Sequence, residues 1–274
     1  MSGGNQGSVR FGLVIVGDEI LSGKRQDRHL ASVIGLLKAR GLRLAWAQYA
    51  GDDSDALTAL YTRTFAAADV VFSCGGIGST PDDHTRQAAA AALGVPLQLH
   101  PEAAALITQR CADMAREGRG SADMSQPENR QRLTMGEFPT GATIIPNPFN
   151  RIPGFAIGGH WFVPGFPAMA WPMLEWVLDT HYHALFGSDV VAERSLVVYE
   201  TPESALVPLM QEIERRFEAV KVFSLPSVGD GRDGRVARRH IELGVKGPPA
   251  ALDEAYADLR AGVVALDAEF DEPR

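Results

Sequence analysis

Cysteine is nearly absent from this chain: Cys74 and Cys111 are the two in 274 residues. Neither has CxxC spacing, so no zinc motif or disulfide framework is visible, and a reducing cytoplasm fits best. A long hydrophobic run is missing too. The longest apolar stretch, Trp161 to Leu178, is broken by Pro164, Gly165, Pro167, Pro172 and Glu175, which rules it out as a membrane span. Met1 to Arg10 is rich in Gly, Ser and Asn; residues 1–10 read as a flexible tail and not as a signal peptide. Positive charge is in deficit, with 26 Lys and Arg against 34 Asp and Glu and a net charge of −8. That argues against a nucleic-acid partner, which calls for a basic face. No Gly-Lys-Ser/Thr follows the glycine-rich turn at residue 75, so it is no Walker loop, and the third glycine of GxGxxG is missing.

Hydrophobic patterning supplies the architecture. Phe11 to Val16 is a continuous apolar run, as expected of a strand covered on both faces. Asp27 caps a helix reaching Arg40, with Leu30, Val33, Ile34 and Leu37 on one face and Gly41 as its stop. Leu42, Leu44 and Trp46 alternate like a strand, and Asp53 or Ser54 caps a helix carrying Leu57, Leu60, Tyr61 and Phe65. Val70 to Ser73 is the next strand. Thr80 then reads as an N-cap with Pro81 at the first helical position and Asp83 three residues after the cap, opening a helix that runs to Leu93 and stops at Gly94. Helices are expected over Pro101–Arg116, Pro127–Leu133 and Pro167–Thr180, with short strands at Thr143–Ile145 and Trp161–Val163. This alternation predicts an α/β fold, a three-layer α/β/α arrangement around a mainly parallel sheet, over residues 11–187. From residue 188 to 274 the pattern changes to a small α+β domain: a strand at Leu196–Tyr199, a helix at Pro202–Ala219, strands at Val220–Leu225 and Ile241–Val245, a helix at Pro249–Ala261 and a closing strand at Val263–Leu266.

The chemistry concentrates at strand ends. Cys74-Gly75-Gly76-Ile77-Gly78-Ser79-Thr80-Pro81-Asp82-Asp83-His84-Thr85 follows a strand and precedes a helix. Glycines let backbone amides approach an anion, and a helix N-terminus favours negative charge. Two adjacent carboxylates would repel a bare phosphate, which points to a divalent ion or a proton-transfer role, although Asp83 is equally explained as a helix-capping residue. Gly17-Asp18-Glu19-Ile20-Leu21-Ser22-Gly23 follows the first strand, and Gly51-Asp52-Asp53-Ser54 the second. Ligands of open parallel sheets lie beyond the carboxyl ends of the strands. An Asx-turn and helix cap accounts for Asp53 as well as a functional role does.

Gly75 to Thr85 resembles the GGxGxTxDDxT hallmark of the molybdopterin-binding domain, found in molybdenum-cofactor biosynthesis proteins and in competence/damage-inducible protein A. Gly17 to Gly23 resembles the opening motif of the same family. Gly141-Ala142-Thr143, Pro146-Asn147-Pro148, Ile152-Pro153-Gly154-Phe155, Val163-Pro164-Gly165-Phe166-Pro167 and the C-terminal unit are similar to its competence-protein version. Ser79 stands where many relatives have Pro, and Gln87 where many have an acidic residue. The deamidase domain that follows in full-length competence proteins is expected to be absent, and with it nicotinamide-nucleotide deamidation.

The resemblance implies a small-molecule ligand, molybdopterin or a nucleotide pyrophosphate, bound with Mg²⁺ or another divalent ion. It implies cofactor-binding roles for Gly17, Glu19, Ser22, Gly75, Gly76, Gly78, Ser79, Thr80 and Thr85, a metal held by Asp82 and Asp83, and chemistry carried by Asp82, Asp83 and Asp52. If active, the protein is a Mg-dependent nucleotidyltransferase or nucleotide pyrophosphatase; the alternative is a non-catalytic pterin- or nucleotide-binding or scaffold protein. A cytoplasmic homo-oligomer, dimer or trimer, is expected.

Other candidates have plainer readings. His181 and His183 lie two apart and share no helix face; a surface or interface role is expected. Arg232, Arg235, Arg238, Arg239 and His240 fall in a Gly-rich stretch and read as a solvated loop. Cys74 reads as a small buried residue with no His to activate it. Trp171, Met173 and Trp176 are expected in the core or at a subunit contact.

Overall fold

The computed structural model describes residues 9–188, 191–229 and 238–272. The chain divides into two compact units, Met1–Gly187 and Ser188–Arg274. In chain order the first contains β1 (Phe11–Val16), α1 (Asp18–Leu21), α2 (His29–Lys38), β2 (Leu44–Ala50), α3 (Ser54–Phe65), β3 (Val70–Cys74), α4 (Thr85–Leu93), β4 (Leu97–Leu99), α5 (Pro101–Arg116), α6 (Pro127–Leu133), β5 (Glu137–Pro139), β6 (Thr143–Ile145), β7 (Gly154–Ile157), β8 (His160–Val163) and α7 (Pro167–His181).

Six of these strands form one sheet in the order β2-β1-β3-β8-β7-β6. β2, β1, β3 and β8 are parallel neighbours, whereas β7 and β6 join antiparallel. Every residue of β1 and β3 is buried, because helices cover both faces. On one face Leu13, Phe72 and Val163 pack against Val33 and Leu37 of α2 and Met173, Leu174 and Val177 of α7. On the other, Val14, Val71 and Phe162 pack against Leu57 and Tyr61 of α3 and Ala88 and Ala89 of α4. The three-layer α/β/α architecture is therefore present, with a sheet that is mixed along its β7–β6 edge.

Local chemistry explains most element ends. Asp53 is the N-cap of α3, its carboxylate accepting from the Ala56 amide at 2.8 Å. The Asp27 carboxylate accepts from the His29 and Leu30 amides at 2.7 and 3.2 Å and so starts α2. Gly94 ends α4 in the left-handed conformation at φ 67°.

Some expectations fail. Ile34 is 45% exposed and lies off the buried stripe of α2. α4 starts at Thr85, not after Thr80, because the Thr85 amide bonds to the Gly76 carbonyl and its hydroxyl to the Gly75 carbonyl. Those bonds fold the chain back onto the glycine turn, and residues 80–83 form a separate turn closed by the Asp83 amide on the Thr80 carbonyl at 3.0 Å.

The second unit contains β9 (Ala192–Tyr199), α8 (Glu203–Arg216), β10 (Lys221–Ser227), β11 (His240–Gly247), α9 (Pro249–Ala265) and β12 (Phe270–Asp271). Its sheet runs β10-β11-β9-β12, antiparallel throughout. Leu196, Val198, Leu243 and Val245 share one core with Leu206 and Ile213 of α8 and Leu252, Tyr256 and Leu259 of α9. The strand expected at Val263–Leu266 is instead the end of α9. Val263 is fully buried and continues the helical spacing of Leu252, Tyr256 and Leu259. No helix among the described residues is long and apolar enough to cross a membrane.

Residues 1–8 of the expected tail and Arg232 and Arg235 of the basic stretch lie outside the described residues. Arg10 is anchored, its carbonyl accepting from the Val70 amide at 2.9 Å. Arg238 pairs with Glu269 through two bonds of 2.9 and 2.8 Å.

Candidate functional site

The carboxyl ends of β1, β2, β3 and β8 point the same way, and a cavity of about 760 Å³ opens there. This is the size and position expected of a ligand site in an open α/β sheet. Gly17, Glu19, Asp52, Gly75, Gly76, Gly78, Ser79, Thr80, Asp82 and Asp83 all line it, so the structure brings together residues from three strand ends. Ser22 and Thr85 do not line it. Ser22 is exposed at the end of α1, its amide bonded to the Asp18 carbonyl. Thr85 is fully buried and acts on the turn from behind, through its bonds to the Gly75 and Gly76 carbonyls. Gln87 is exposed on α4, away from the cavity lining.

The glycine turn needs its glycines. Gly75 sits at φ 108° and a Cβ there would collide with the Val16 carbonyl oxygen; Gly76, at φ 68°, would collide with the Thr85 hydroxyl. The turn also presents unused donors. Among the described residues, the amides of Gly76, Ile77, Gly78 and Ser79 have no acceptor, whereas Gly75 donates to the Val163 carbonyl at 3.0 Å and Thr80 to the Asp83 carboxylate at 2.8 Å. Consecutive free amides in such a turn form an anion-binding concavity.

Carboxylates face this cradle. Asp18 and Asp52 clasp each other's backbone: the Asp18 amide donates to Asp52 Oδ2 at 2.9 Å and the Asp52 amide to Asp18 Oδ1 at 3.3 Å. Burial pushes the Asp52 carboxyl above its ordinary pKa, and the charges of Asp18, Glu19 and Asp82 push it further. Asp82 is fully exposed, and Thr80 holds its carboxyl below the ordinary range. Asp83 is committed to the turn through Thr80. Among the described residues no three His, Cys, Asp or Glu side chains converge as a ready-made metal cage. Glu19, Asp52 and Asp82 are the lining carboxylates not consumed in closing the turn.

Further residues line the cavity: Lys24, Arg25, Met135 and Met169 carry no sequence signal of their own, whereas Asn147, Ile152 and Phe166 fall in the motifs that resemble the competence-protein version. Lys24 has no acidic partner among the described residues, and Arg25 lies 3.9 Å from Glu19 and over the Phe166 ring at 6.0 Å. Phe166, Met169, Ile152 and Met135 give the cavity an apolar side opposite in chemistry to the glycine turn. Phe166 is 58% exposed. Its neighbour Gly165 is held by buried His29, whose Nε2 lies 3.0 Å from the Gly165 carbonyl. Asn147, which also lines the cavity, is occupied in shaping its own loop through Asn150 and the Ile152 carbonyl.

Residues outside the cavity keep their plain roles. Cys74 is buried, and burial pushes its thiol pKa far up, which leaves no thiolate for catalysis. His181 and His183 are exposed and pack against Trp161 and Phe186 respectively. Met173 is fully buried, and Trp176 is 36% exposed.

Residues 12–183 match the family described as a probable molybdopterin binding domain. The chain is 32% identical to a CinA-like protein of Anaeromyxobacter sp. (strain Fw109-5), the match covering 92% of this chain and 63% of that protein. It is 31% identical to a protein of Pyrobaculum aerophilum, covering 78% of each. The chain spans 56% of the length of a second CinA-like relative, from Anaeromyxobacter dehalogenans (strain 2CP-C). Among solved structures it is similar to the protein CinA, of unknown function, from Thermoplasma acidophilum. The TM-score is 0.52 at 26% identity, over 62% of this chain and 97% of that one.

Proposed function

The chain belongs to the probable molybdopterin-binding domain family, and on that premise we propose that its cavity binds a molybdopterin-like or nucleotide pyrophosphate ligand together with a divalent ion. The observation that carries this reading is the row of unused amides at Gly76 to Ser79, set at the sheet's carboxyl edge within a cavity of ligand size. The amides would hold the phosphates, with Lys24 adding charge at the rim. Phe166, Ile152 and Met169 offer an apolar wall for a planar ring. Asp52 and Asp82 would hold Mg²⁺, which supplies neutralisation of charge developing on a phosphoryl group.

The reaction class that follows is cleavage of a phosphoanhydride bond. The attacking oxygen belongs either to a second phosphate, giving nucleotidyl transfer, or to water, giving hydrolysis. The two free buried cysteines are in keeping with a reducing cytoplasm, and a homo-oligomer, dimer or trimer, belongs to the same reading. Calorimetry with ATP, ADP-ribose, FAD and a reduced pterin, with and without Mg²⁺, followed by product analysis of each ligand bound, tests it. Binding of at least one phosphate-bearing compound is expected; binding of none would sink the proposal. A second reading, binding without turnover, is favoured by one observation: Asp83 is bonded to Thr80, which leaves a thin carboxylate set for chemistry. Ligand binding with no product in the same experiment would select it.

A further inference from the structure

Arg86, the second residue of α4, is only 3% exposed. A buried guanidinium ordinarily pairs with a carboxylate, since leaving a charge unpaired away from water is costly. Arg86 has no such pair among the described residues. Its Nη2 donates to the Gly78 carbonyl at 2.6 Å, and its Nη1 donates to the Thr134 carbonyl and, at 3.5 Å, to that of Glu137. Nε has no partner. Burial lowers its pKa, and Asp83 and Glu137 act on it only through space.

What this cation grips is the back of the glycine turn. The peptide joining Gly78 to Ser79 is a trans unit, so its carbonyl and its N–H point in opposite directions. A cation fixed on the Gly78 carbonyl therefore aims the Ser79 N–H the other way and polarises it as a donor. The following peptide is fixed as well: Gln131 Nε2 donates to the Ser79 carbonyl at 2.6 Å, and the Thr80 amide is bonded to Asp83. Between these two clamps the Ser79 amide is left without an acceptor among the described residues. The same guanidinium ties the turn to the segment bearing Met135, a lining residue of the cavity.

We propose that Arg86 is a positioning residue of the anion site, acting through the Gly78–Ser79 peptide to orient and strengthen the Ser79 amide toward a ligand phosphate. This rests on the reading of the cavity as a phosphate site and adds the source of its positive potential. The carboxylates at the cavity mouth oppose an incoming anion; Arg86 answers them from behind, with no carboxylate hydrogen-bonded to it among the described residues.

The probes are ADP, adenosine and inorganic pyrophosphate, titrated calorimetrically into the full chain. A hydrogen bond to a charged group is worth roughly 1.5–3 kcal/mol, or about ten- to a hundredfold in affinity. Arg86→Gln and Ser79→Pro, which deletes the amide hydrogen and installs the residue that many relatives carry, are each expected to weaken ADP and pyrophosphate by about tenfold or more, the Ser79 amide being a donor this chain adds to the turn. Adenosine binding stays within about twofold of wild type for both, and Ser79→Ala, which keeps the amide, weakens ADP less than Ser79→Pro does. The double variant weakens ADP no further than the poorer single variant, because both act on one donor. Should Arg86→Gln fail to fold, the Ser79→Pro and Ser79→Ala pair carries the test. Equal loss of ADP and adenosine affinity in Arg86→Gln, additive effects, or ADP binding by Ser79→Pro equal to that of Ser79→Ala would overturn the proposal. A wild-type chain that binds adenosine as tightly as ADP and ignores pyrophosphate would overturn the phosphate site itself, and this assignment with it.

Discussion

One carboxylate oxygen of Asp83 accepts two hydrogen bonds from a single residue, Thr80: from its amide at 2.8 Å and from its hydroxyl at 2.5 Å. The arrangement has the form of a capping interaction but closes a turn two residues short of the helix, since α4 begins at Thr85. Asp83 therefore holds the shape of the turn through two bonds from Thr80, whereas its neighbour Asp82 is fully exposed in the cavity lining, where Thr80 only lowers the pKa of its carboxyl.

The two aspartates should consequently separate in experiment. Asp83→Ala is expected to lower stability by about 1 kcal/mol, the usual value of a cap or turn bond, and to weaken ligand binding with or without Mg²⁺. Asp82→Ala should leave the melting temperature within about 1 °C of wild type, as an exposed substitution does, and abolish only the Mg²⁺-dependent part of binding. Equal melting temperatures for the two variants would remove the distinction.

Asp52 supports a prediction with a defined pH dependence. Burial and the charges of Asp18, Glu19 and Asp82 raise its pKa above the ordinary 3.8. A carboxyl raised in the folded state favours folding while protonated, and that contribution is lost as pH rises through the raised value. Asp52→Asn keeps an oxygen for the Asp18 amide and removes the charge. Thermal melts should show the variant more stable than wild type at pH 7.5, the gain vanishing below about pH 3.8, where both proteins are neutral at this position. The same variant should lose Mg²⁺-enhanced ligand binding. A variant less stable than wild type at neutral pH would show that the carboxylate is not under electrostatic strain.

The parts of this structure that local pattern encodes were legible in the chain. β1 and β3 are unbroken apolar runs because helices cover both faces of the sheet, and the acidic, glycine-bearing segments that follow them all reach one cavity. The start of α4 was not legible. Thr80, Pro81 and Asp83 satisfy every local capping rule, and it is the distant grip of Thr85 on the Gly75 and Gly76 carbonyls that moves the helix. Val263 to Leu266 is too short an apolar run for its period to distinguish helix from strand; packing against the β9–β11 sheet decides it. Lys24 and Arg25 carry no pattern of their own, and Phe166 was legible only as part of the Val163–Pro167 motif; they meet because their segments converge on one cavity. Arg86 was hidden for a different reason: a lone arginine on a helix is ordinarily solvent-exposed, and only the carbonyl oxygens of Gly78 and Thr134 show why this one is buried.

His160 gives the clearest acid-stability prediction. Its ring is fully buried in β8, with Nε2 2.8 Å from the Thr64 hydroxyl and Nδ1 3.1 Å from the Gly158 carbonyl. Burial pushes its pKa down from 6.5 to about 4. The unfolded chain takes up a proton near pH 6.5 and the folded chain only near pH 4, so between those values the unfolded state binds more protons. The contribution of a neutral His160 is thus complete above pH 6.5 and falls away as pH drops toward 4, by roughly 3 kcal/mol in all at 1.36 kcal/mol per pH unit. Urea unfolding at several pH values across this window should show wild-type stability falling more steeply than that of His160→Gln, which cannot take up the proton. The absolute stability of the variant is not the readout, since the substitution also disturbs the contact with Thr64; the difference in slope is. Parallel slopes for the two proteins between pH 6.5 and 4 would mean that His160 is protonated as easily inside the fold as outside it.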